Sequence, residues 1–332
     1  MSFSTIGNNP YWRPGELQAC VKNFGENILS GGDVLIIRNN TEGITLSQSL
    51  QYLSEEKRMH PRSFVVNSMD GFPYTACKLE CFGNWKSNSI PHPKFVEFAS
   101  REQIEESGLE FPYLIRLNNL ATGEGTYLIE SDADLELCLP KLISDRMSRG
   151  GYTPRMFAVQ FVDTRREGRH ISYRIAVAGD KVVSAYARIG DSWLAITAKF
   201  KESHKSIWLQ ENKRIQRIVK DNNDEICRAV SSLGLDHQGV DLILDSEENL
   251  YFIEVQPFYF CGDTNRTTPP FWNPYKPKEL VDWLVNEKND LYREIPEYYD
   301  NWLDKEAHFN IAYEALRKRY DVWSKSRYKN KP

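Results

Sequence analysis

The 332-residue chain contains no stretch approaching about 18 consecutive apolar residues, so no segment reads as a membrane-spanning helix. Its first 30 residues lack a basic start followed by an apolar core, which argues against a secretion signal. Cysteine is sparse: six residues, at 20, 77, 81, 138, 227 and 261, are too scattered for a disulfide framework. Cys77 and Cys81 form a C-x-x-x-C pair, but no second pair or neighbouring histidine completes a zinc site. Reduced, partly buried thiols are expected, and a cytoplasmic location with them. A basic surplus is missing too. The formal net charge of −4 argues against nucleic acid as a partner, and no membrane partner is expected. The end of the chain departs from this, with Arg317, Lys318, Arg319, Lys325, Arg327, Lys329 and Lys331. A solvated helix face and tail account for them, and docking of an acidic partner is the alternative. Repeats and low-complexity linkers are also absent, so the lobes are expected to pack together.

What is present suits a globular α/β chain: 41% hydrophobic and 27% charged residues, enough for two or three lobes. Short apolar runs at 33–38 and 63–67, separated by helical spacing over 44–57, predict a parallel sheet. A helix over 75–88 closes on Pro91 and Pro93, which puts a first domain boundary near residue 93. Further on, strands are expected at 112–117, 157–162, 172–178 and 181–189, the last two joined at Gly179–Asp180, and 193–197 should extend their sheet. Residues 131–142 begin as a helix, and one long helix is expected over 208–233, stopping at Gly234. A hairpin pairs 240–244 with 251–255, and the last sixty residues carry helical spacing.

The hairpin holds the most informative chemistry. Asp241 and Glu254 interrupt apolar runs and can approach each other across the two strands, with Gln256 on the same face as Glu254. Two carboxylates held close repel unless a cation or proton lies between them. Mg²⁺ takes oxygen ligands from one or two carboxylates plus phosphates, so a metal-phosphate site is one answer and incidental surface acids the other. The segment 121–126, with Gly123 and Gly125, lies between two strands. It therefore matches neither a dinucleotide fingerprint nor a Walker loop, yet such a turn can close N–H groups over phosphates. Arg116, Arg174 and Arg188 each sit within an apolar strand; structural ion pairs explain one such residue, while three suggest a cleft for a polyanion. The aromatic-rich stretch 258–275 packs between lobes or caps the cleft.

The order of these pieces resembles the ATP-grasp superfamily, in particular RimK-like and D-alanine–D-alanine ligase-like carboxylate–amine ligases. Cys77–Leu79 with Asn88–Pro93, Tyr113–Arg116, Ala121–Thr126, Phe157–Val162, Ser172–Ile175, Gly239–Leu242 and Ile253–Pro257 carry the resemblance, over roughly residues 33–257. It implies an N-terminal α/β domain (1–93), a small ATP-grasp lobe (94–162), a second α+β lobe (163–275) and a helical extension (276–332). ATP and Mg²⁺ are the implied cofactors. Lys78, Arg116, Gly123, Gly125, Gln160, Val162, Asp163 and Glu167 would surround the nucleotide. Asp241, Glu254 and Gln256 would hold the metal, while Arg174 and Arg188 would serve the transferring group or a substrate carboxylate, the last together with 199–205. The implied reaction joins a small-molecule carboxylate to an amine, an amino acid or peptide, through an acylphosphate. A homodimer is compatible with it.

Three departures stand out: Arg116 replaces the family's lysine, Gln256 its asparagine, and a further asparagine is missing from 193–200. The alternatives are therefore an ATP-grasp kinase that stops at phosphoryl transfer, and a degenerate nucleotide-binding scaffold. Arg116 and Gln256 favour the scaffold; Asp241 and Glu254 disfavour it.

Overall fold

The computed structural model describes residues 4–6, 34–37, 64–66, 74, 77–118, 120, 123–148, 154–194, 205–235 and 237–256, with positions 318, 321, 322 and 325 near the C-terminus. The expected helix at 44–57, the stretches 199–204 and 258–275, and nearly all of the C-terminal helix and basic tail lie outside the described residues.

Three sheets organise the chain. The first is parallel, β1 (Ser4–Ile6), β2 (Val34–Ile37) and β3 (Phe64–Val66) in that order, as the short apolar runs predict. Helix α1 (Lys78–Ser87) follows, then β4 (Phe95–Phe98) and α2 (Arg101–Glu106). A hairpin of β5 (Tyr113–Leu117) and β6 (Thr126–Ile129) precedes helix α3 (Asp132–Met147) and strand β7 (Met156–Gln160). The second sheet has the order β4-β7-β5-β6, antiparallel throughout. The third is built from β8 (Arg165–Arg166), β9 (Arg169–Ala178), β10 (Lys181–Gly190), β11 (His237–Leu244) and β12 (Leu250–Gln256). Its order is β10-β9-β11-β12 with β8 on β9, and α4 (Lys205–Asp221) and α5 (Asn223–Ser231) pack on it.

Local chemistry explains these elements. Ser131 caps α3 by accepting from the Asp134 N–H, and Asp132 and Asp134 favour the positive helix start. Ser100 and Gln103 form a capping box on α2. Gly179 takes a φ of 60° to turn β9 into β10. In the β11–β12 turn, Asp245 Oδ1 accepts from the N–H groups of Glu247 and Asn249, both at 2.9 Å.

The side chains of β7 alternate between two cores with the strand's period of two. Phe157 and Val159 join the large core of β9–β12, α1, α4 and α5, whereas Met156 and Ala158 join a smaller core with α3. Strand β7 is thus the shared wall of both cores, and it fixes β5 beside the third sheet.

Three expectations need correction. The helix expected over 208–233 is two helices, because Asn222 leaves helical geometry (φ −118°, ψ 21°) and its amide donates to Ile218 O at 2.8 Å. Trp193 and Leu194, expected to extend the third sheet, are not in a strand. Strand β7 ends at Gln160, so Val162 belongs to the link that follows it.

Candidate functional site

Register brings the charged residues together. Asp241 is opposite Glu254 on one side and opposite Arg174 on the other, and Arg174 is opposite Tyr186. Glu254, Asp241, Arg174 and Tyr186 therefore form one row across four strands, with Arg188 two residues beyond Tyr186 on the same face. A β-bulge makes the row possible. Leu242 is opposite Phe252 although Asp241 is opposite Glu254, so Ile253 is an extra residue. In a regular ladder Phe252 and Glu254 would share a face. With the bulge, Phe252 joins Leu242 and Tyr173 in the core while Glu254 stays beside Asp241.

Asp241 is held from two strands. Arg174 donates from both Nε (2.5 Å) and Nη2 (2.7 Å), and Arg188 Nη2 lies 3.0 Å from the second oxygen. Burial pushes this carboxyl up, but Arg174 and then Arg188 outweigh it and hold it at about 2. Burial in turn disfavours the Arg174 cation, and Asp241 more than restores it. Three bonds occupy three of the roughly four lone-pair directions of a carboxylate, leaving Asp241 room for one more ligand.

Glu254 is paired with Lys78, which lies 176 residues earlier in the chain. The α1 helix packs against β12. Its Trp85 end stacks near Phe252 and donates to Ala229 O at 2.8 Å, while its Lys78 end meets Glu254. Because Cys77 supplies no side-chain cap, Asn118 at the end of β5 takes that part: its Oδ1 accepts from Leu79 N–H at 3.2 Å. Its amide nitrogen also reaches Cys77 Sγ and Glu80.

Arg116 is buried, with 9% of its surface exposed, and its Nε has no hydrogen-bond partner. Burial lowers it to about 10, against the opposing pull of Glu254, so it remains a cation at neutral pH. Its guanidinium lies 5.5 Å from the centre of the Phe157 ring. Lys78, Arg116, Arg174 and Arg188 thus face Asp241 and Glu254 with a surplus of two positive charges among these six side chains.

The remaining expected residues lie around this cluster or apart from it. Gly123 (φ 78°) and Gly125 (φ 58°) shape the β5–β6 turn, and a Cβ on Gly123 would come 2.4 Å from Leu194 Cδ2. At the link after β7, Gln160 N–H donates to Lys94 O at 2.8 Å, its side chain accepts from Lys94 N–H, and Val162 is buried. Asp163 is chelated by Arg165, and Glu167 is exposed in the β8–β9 turn. Gln256 is opposite Gly239, hence on the face of Asp241; its side chain lies outside the described residues. Tyr186, Asn118 and Phe157 were not foreseen. Only the two-residue spacing of Tyr186 from Arg188 could have signalled any of them.

The donor set fits a polyanion-bound metal better than a bare one. Among the described residues, no group of three or more His, Cys, Asp or Glu could hold an ion by itself. Two facing carboxylates are what Mg²⁺ commonly takes when phosphate oxygens complete its shell. The orphaned Arg116 Nε and the positive surplus suit those phosphates.

A family model, the RimK-like ATP-grasp domain, matches residues 78–258. A tetrahydromethanopterin:α-L-glutamate ligase from Methanococcus maripaludis is 25% identical over 219 residues, covering 66% of this chain and 68% of the relative. Among solved structures, biotin carboxylase from Campylobacter jejuni aligns with a TM-score of 0.48 at 16% identity, over 68% of this chain and 49% of its own. L-amino acid ligase from Bacillus licheniformis aligns at 0.43 and 18%, over 73% and 52%. The chain thus spans about half the length of these two solved structures. With the family model running from α1 through β12 and past all six charged residues, the chain belongs to the RimK-like ATP-grasp family.

Proposed function

We propose that the chain is an ATP-dependent ligase that forms a C–N bond between a small-molecule carboxylate and an amine, with Mg²⁺ bound between its carboxylates and the nucleotide. One observation carries this: Lys78, Arg116, Arg174 and Arg188 converge on Asp241 and Glu254 from α1, β5 and the third sheet, within the span of the ATP-grasp family model. Lys78 and Arg116 bind and neutralise the phosphates. Arg174 and Arg188 meet charge that builds on the transferred phosphoryl group. Asp241, Glu254 and Gln256 would hold Mg²⁺, which would supply charge neutralisation at the phosphates when bound. In the proposed chemistry a substrate carboxylate oxygen bonds to the γ-phosphorus as the bond to ADP breaks. The amine nitrogen then bonds to the acyl carbon, phosphate leaves, and the amine loses its proton. The relative named for a glutamate substrate makes amino acids the first amines to screen.

A second reading, a nucleotide-binding scaffold without turnover, draws on the same carboxylate: three of Asp241's bonding directions are taken by arginines. A thermal-shift titration with ATP, with and without Mg²⁺, separates the two. A ligand at a hundred times its Kd adds about 2.7 kcal/mol. A Mg²⁺-dependent shift, followed by phosphate release with an amino acid, supports the ligase. A Mg²⁺-independent shift supports the scaffold, and no shift at saturating ATP sinks both.

A further inference from the structure

Three of the four site cations are positioned by carboxylates: Lys78 by Glu254, and Arg174 and Arg188 by Asp241. Arg116 feels the charge of Glu254, and its contact is with a ring. It is the register partner of Phe157 across β5 and β7, and its guanidinium carbon sits 5.5 Å from the ring centre. The ring is itself immobilised. Phe157 has no exposed surface and meets Phe82 of α1 edge-on, at 6.3 Å and 74°. Phe82 is one helical turn beyond Lys78, so one aromatic contact links the supports of both cations.

An immobile ring 5.5 Å from the guanidinium carbon constrains the place of the cation. A lysine ammonium at this position would have neither a plane nor a fork. Arg116 Nε, buried and without a hydrogen-bond partner, is a donor left over beside the ring. With a local surplus of two positive charges, the cluster is best satisfied by a ligand carrying several negative ones.

We propose that Phe157 is a positioning residue for nucleotide phosphates: its ring fixes where the Arg116 guanidinium lies, and so makes the site prefer a triphosphate to a monophosphate. The inference rests on the nucleotide-binding function proposed above.

The test is equilibrium binding of ATP and of AMP to the full-length protein, by calorimetry with Mg²⁺ present, for four forms: wild type, Phe157→Leu, Arg116→Lys and the double variant. The wild type should bind ATP more tightly than AMP. Phe157→Leu should reduce that preference about tenfold, the scale of one desolvated cation–π contact, while AMP affinity itself changes little. Arg116→Lys keeps both the charge and the ring, so it tests the fork even if the Leu variant folds poorly. It should lose the preference to a similar degree. In the double variant the losses should fail to add, as expected for residues in direct contact. Equal weakening of ATP and AMP by Phe157→Leu would mean general loosening of the core and overturn the proposal. So would an unchanged ATP:AMP ratio in Arg116→Lys. If the wild type binds neither nucleotide, the proposed function falls with it, an outcome distinct from wild-type discrimination that survives both substitutions.

Discussion

Asp241 and Glu254 are direct partners across the β11–β12 ladder, yet different cations hold them: Arg174 and Arg188 on Asp241, Lys78 on Glu254. Two carboxylates at adjacent strand positions would repel if left alone. Here each is tied to a different part of the chain, Asp241 to the β9–β10 hairpin and Glu254 to the start of α1. The site is therefore also a fastening between α1 and the third sheet, and its substitutions should act on stability as well as on ligands.

Asp241→Asn should destabilise the protein by about 3–5 kcal/mol, because it leaves Arg174 and Arg188 charged, enclosed and unpaired. Urea unfolding measures this. Adding Arg174→Met should recover part of the loss, since one of the stranded charges is then gone. A single-variant cost below about 1 kcal/mol would contradict the pairing.

Acid should weaken the fold over a defined window. The Asp241 carboxyl in the folded protein sits at about 2, below its ordinary value of 3.8. A carboxyl depressed by folding contributes stability that is complete above the unfolded value and is lost as pH falls through the folded one. Stability should thus drop between about pH 4 and pH 2, by on the order of 2 kcal/mol from this group. Asp241→Asn should flatten that part of a pH-dependent unfolding curve, whereas an unchanged slope would assign the acid sensitivity to other carboxyls.

Period-two alternation made much of this site legible in advance. It put Asp241 and Glu254 on facing strands and Arg174 and Arg188 inside apolar ones, and the Gly179–Asp180 turn joined β9 to β10 as expected. Contacts between distant segments were not legible. Nothing local marks Lys78 as the partner of a glutamate 176 residues away, or Phe157 as the seat of Arg116. The bulge at Ile253 is hidden for a similar reason: it exists only in relation to β11. Strand β4 and helix α2 are four and six residues long, too short for periodicity to show, although Ser100 and Gln103 did carry a capping-box signature. Asn222 breaks the α4–α5 run while apolar spacing continues on both sides, so periodicity alone read one helix.

Asn118→Ala should loosen the end of α1 that carries Lys78. It removes the acceptor for Leu79 N–H, a first-turn donor with no other side-chain cap, and a cap of this kind is worth about 1 kcal/mol. Asn118 is buried, so water cannot readily replace it. Hydrogen exchange should rise in the first turn of α1 and ATP affinity should fall, with exchange in α5 unchanged. Exchange rising equally in both helices would point to global destabilisation instead.

Gly123→Ala and Gly168→Ala make a matched pair. Both glycines take a positive φ, 78° and 74°, so each substitution carries backbone strain of about 1–2 kcal/mol. They differ in surroundings: an added Cβ at Gly168 meets nothing within 4 Å, whereas at Gly123 it comes 2.4 Å from Leu194 Cδ2. Gly123→Ala should therefore shift the β5–β6 turn against Leu194 and weaken ATP binding, while Gly168→Ala should cost stability only. Adding Leu194→Ala to Gly123→Ala should restore part of the affinity. If Gly168→Ala weakens ATP equally, the turn has no special part in binding.

Among the described residues β10 is an edge strand, and its support by helix α4 can be tested directly. Trp208, Asn212 and Gln216 lie four residues apart on one ridge, and each serves a backbone group of β10. Trp208 Nε1 donates to Ala187 O at 3.2 Å, Asn212 Oδ1 accepts from Ala187 N–H at 3.2 Å, and Gln216 Nε2 donates to Ala185 O at 2.8 Å. Asn212 and Gln216 are completely buried, so these bonds satisfy β10 groups that no further strand among the described residues pairs. Asn212→Leu keeps similar bulk but leaves Ala187 N–H buried and unbonded, which should cost about 1–3 kcal/mol. Arg188 is the next residue, so the same variant should also disturb its hold on Asp241 and lower ATP affinity. Gln216→Leu, two strand positions farther from Arg188, should cost stability to a similar degree and leave affinity close to wild type. Equal affinity losses in the two variants would show that the edge acts on the site only through overall stability.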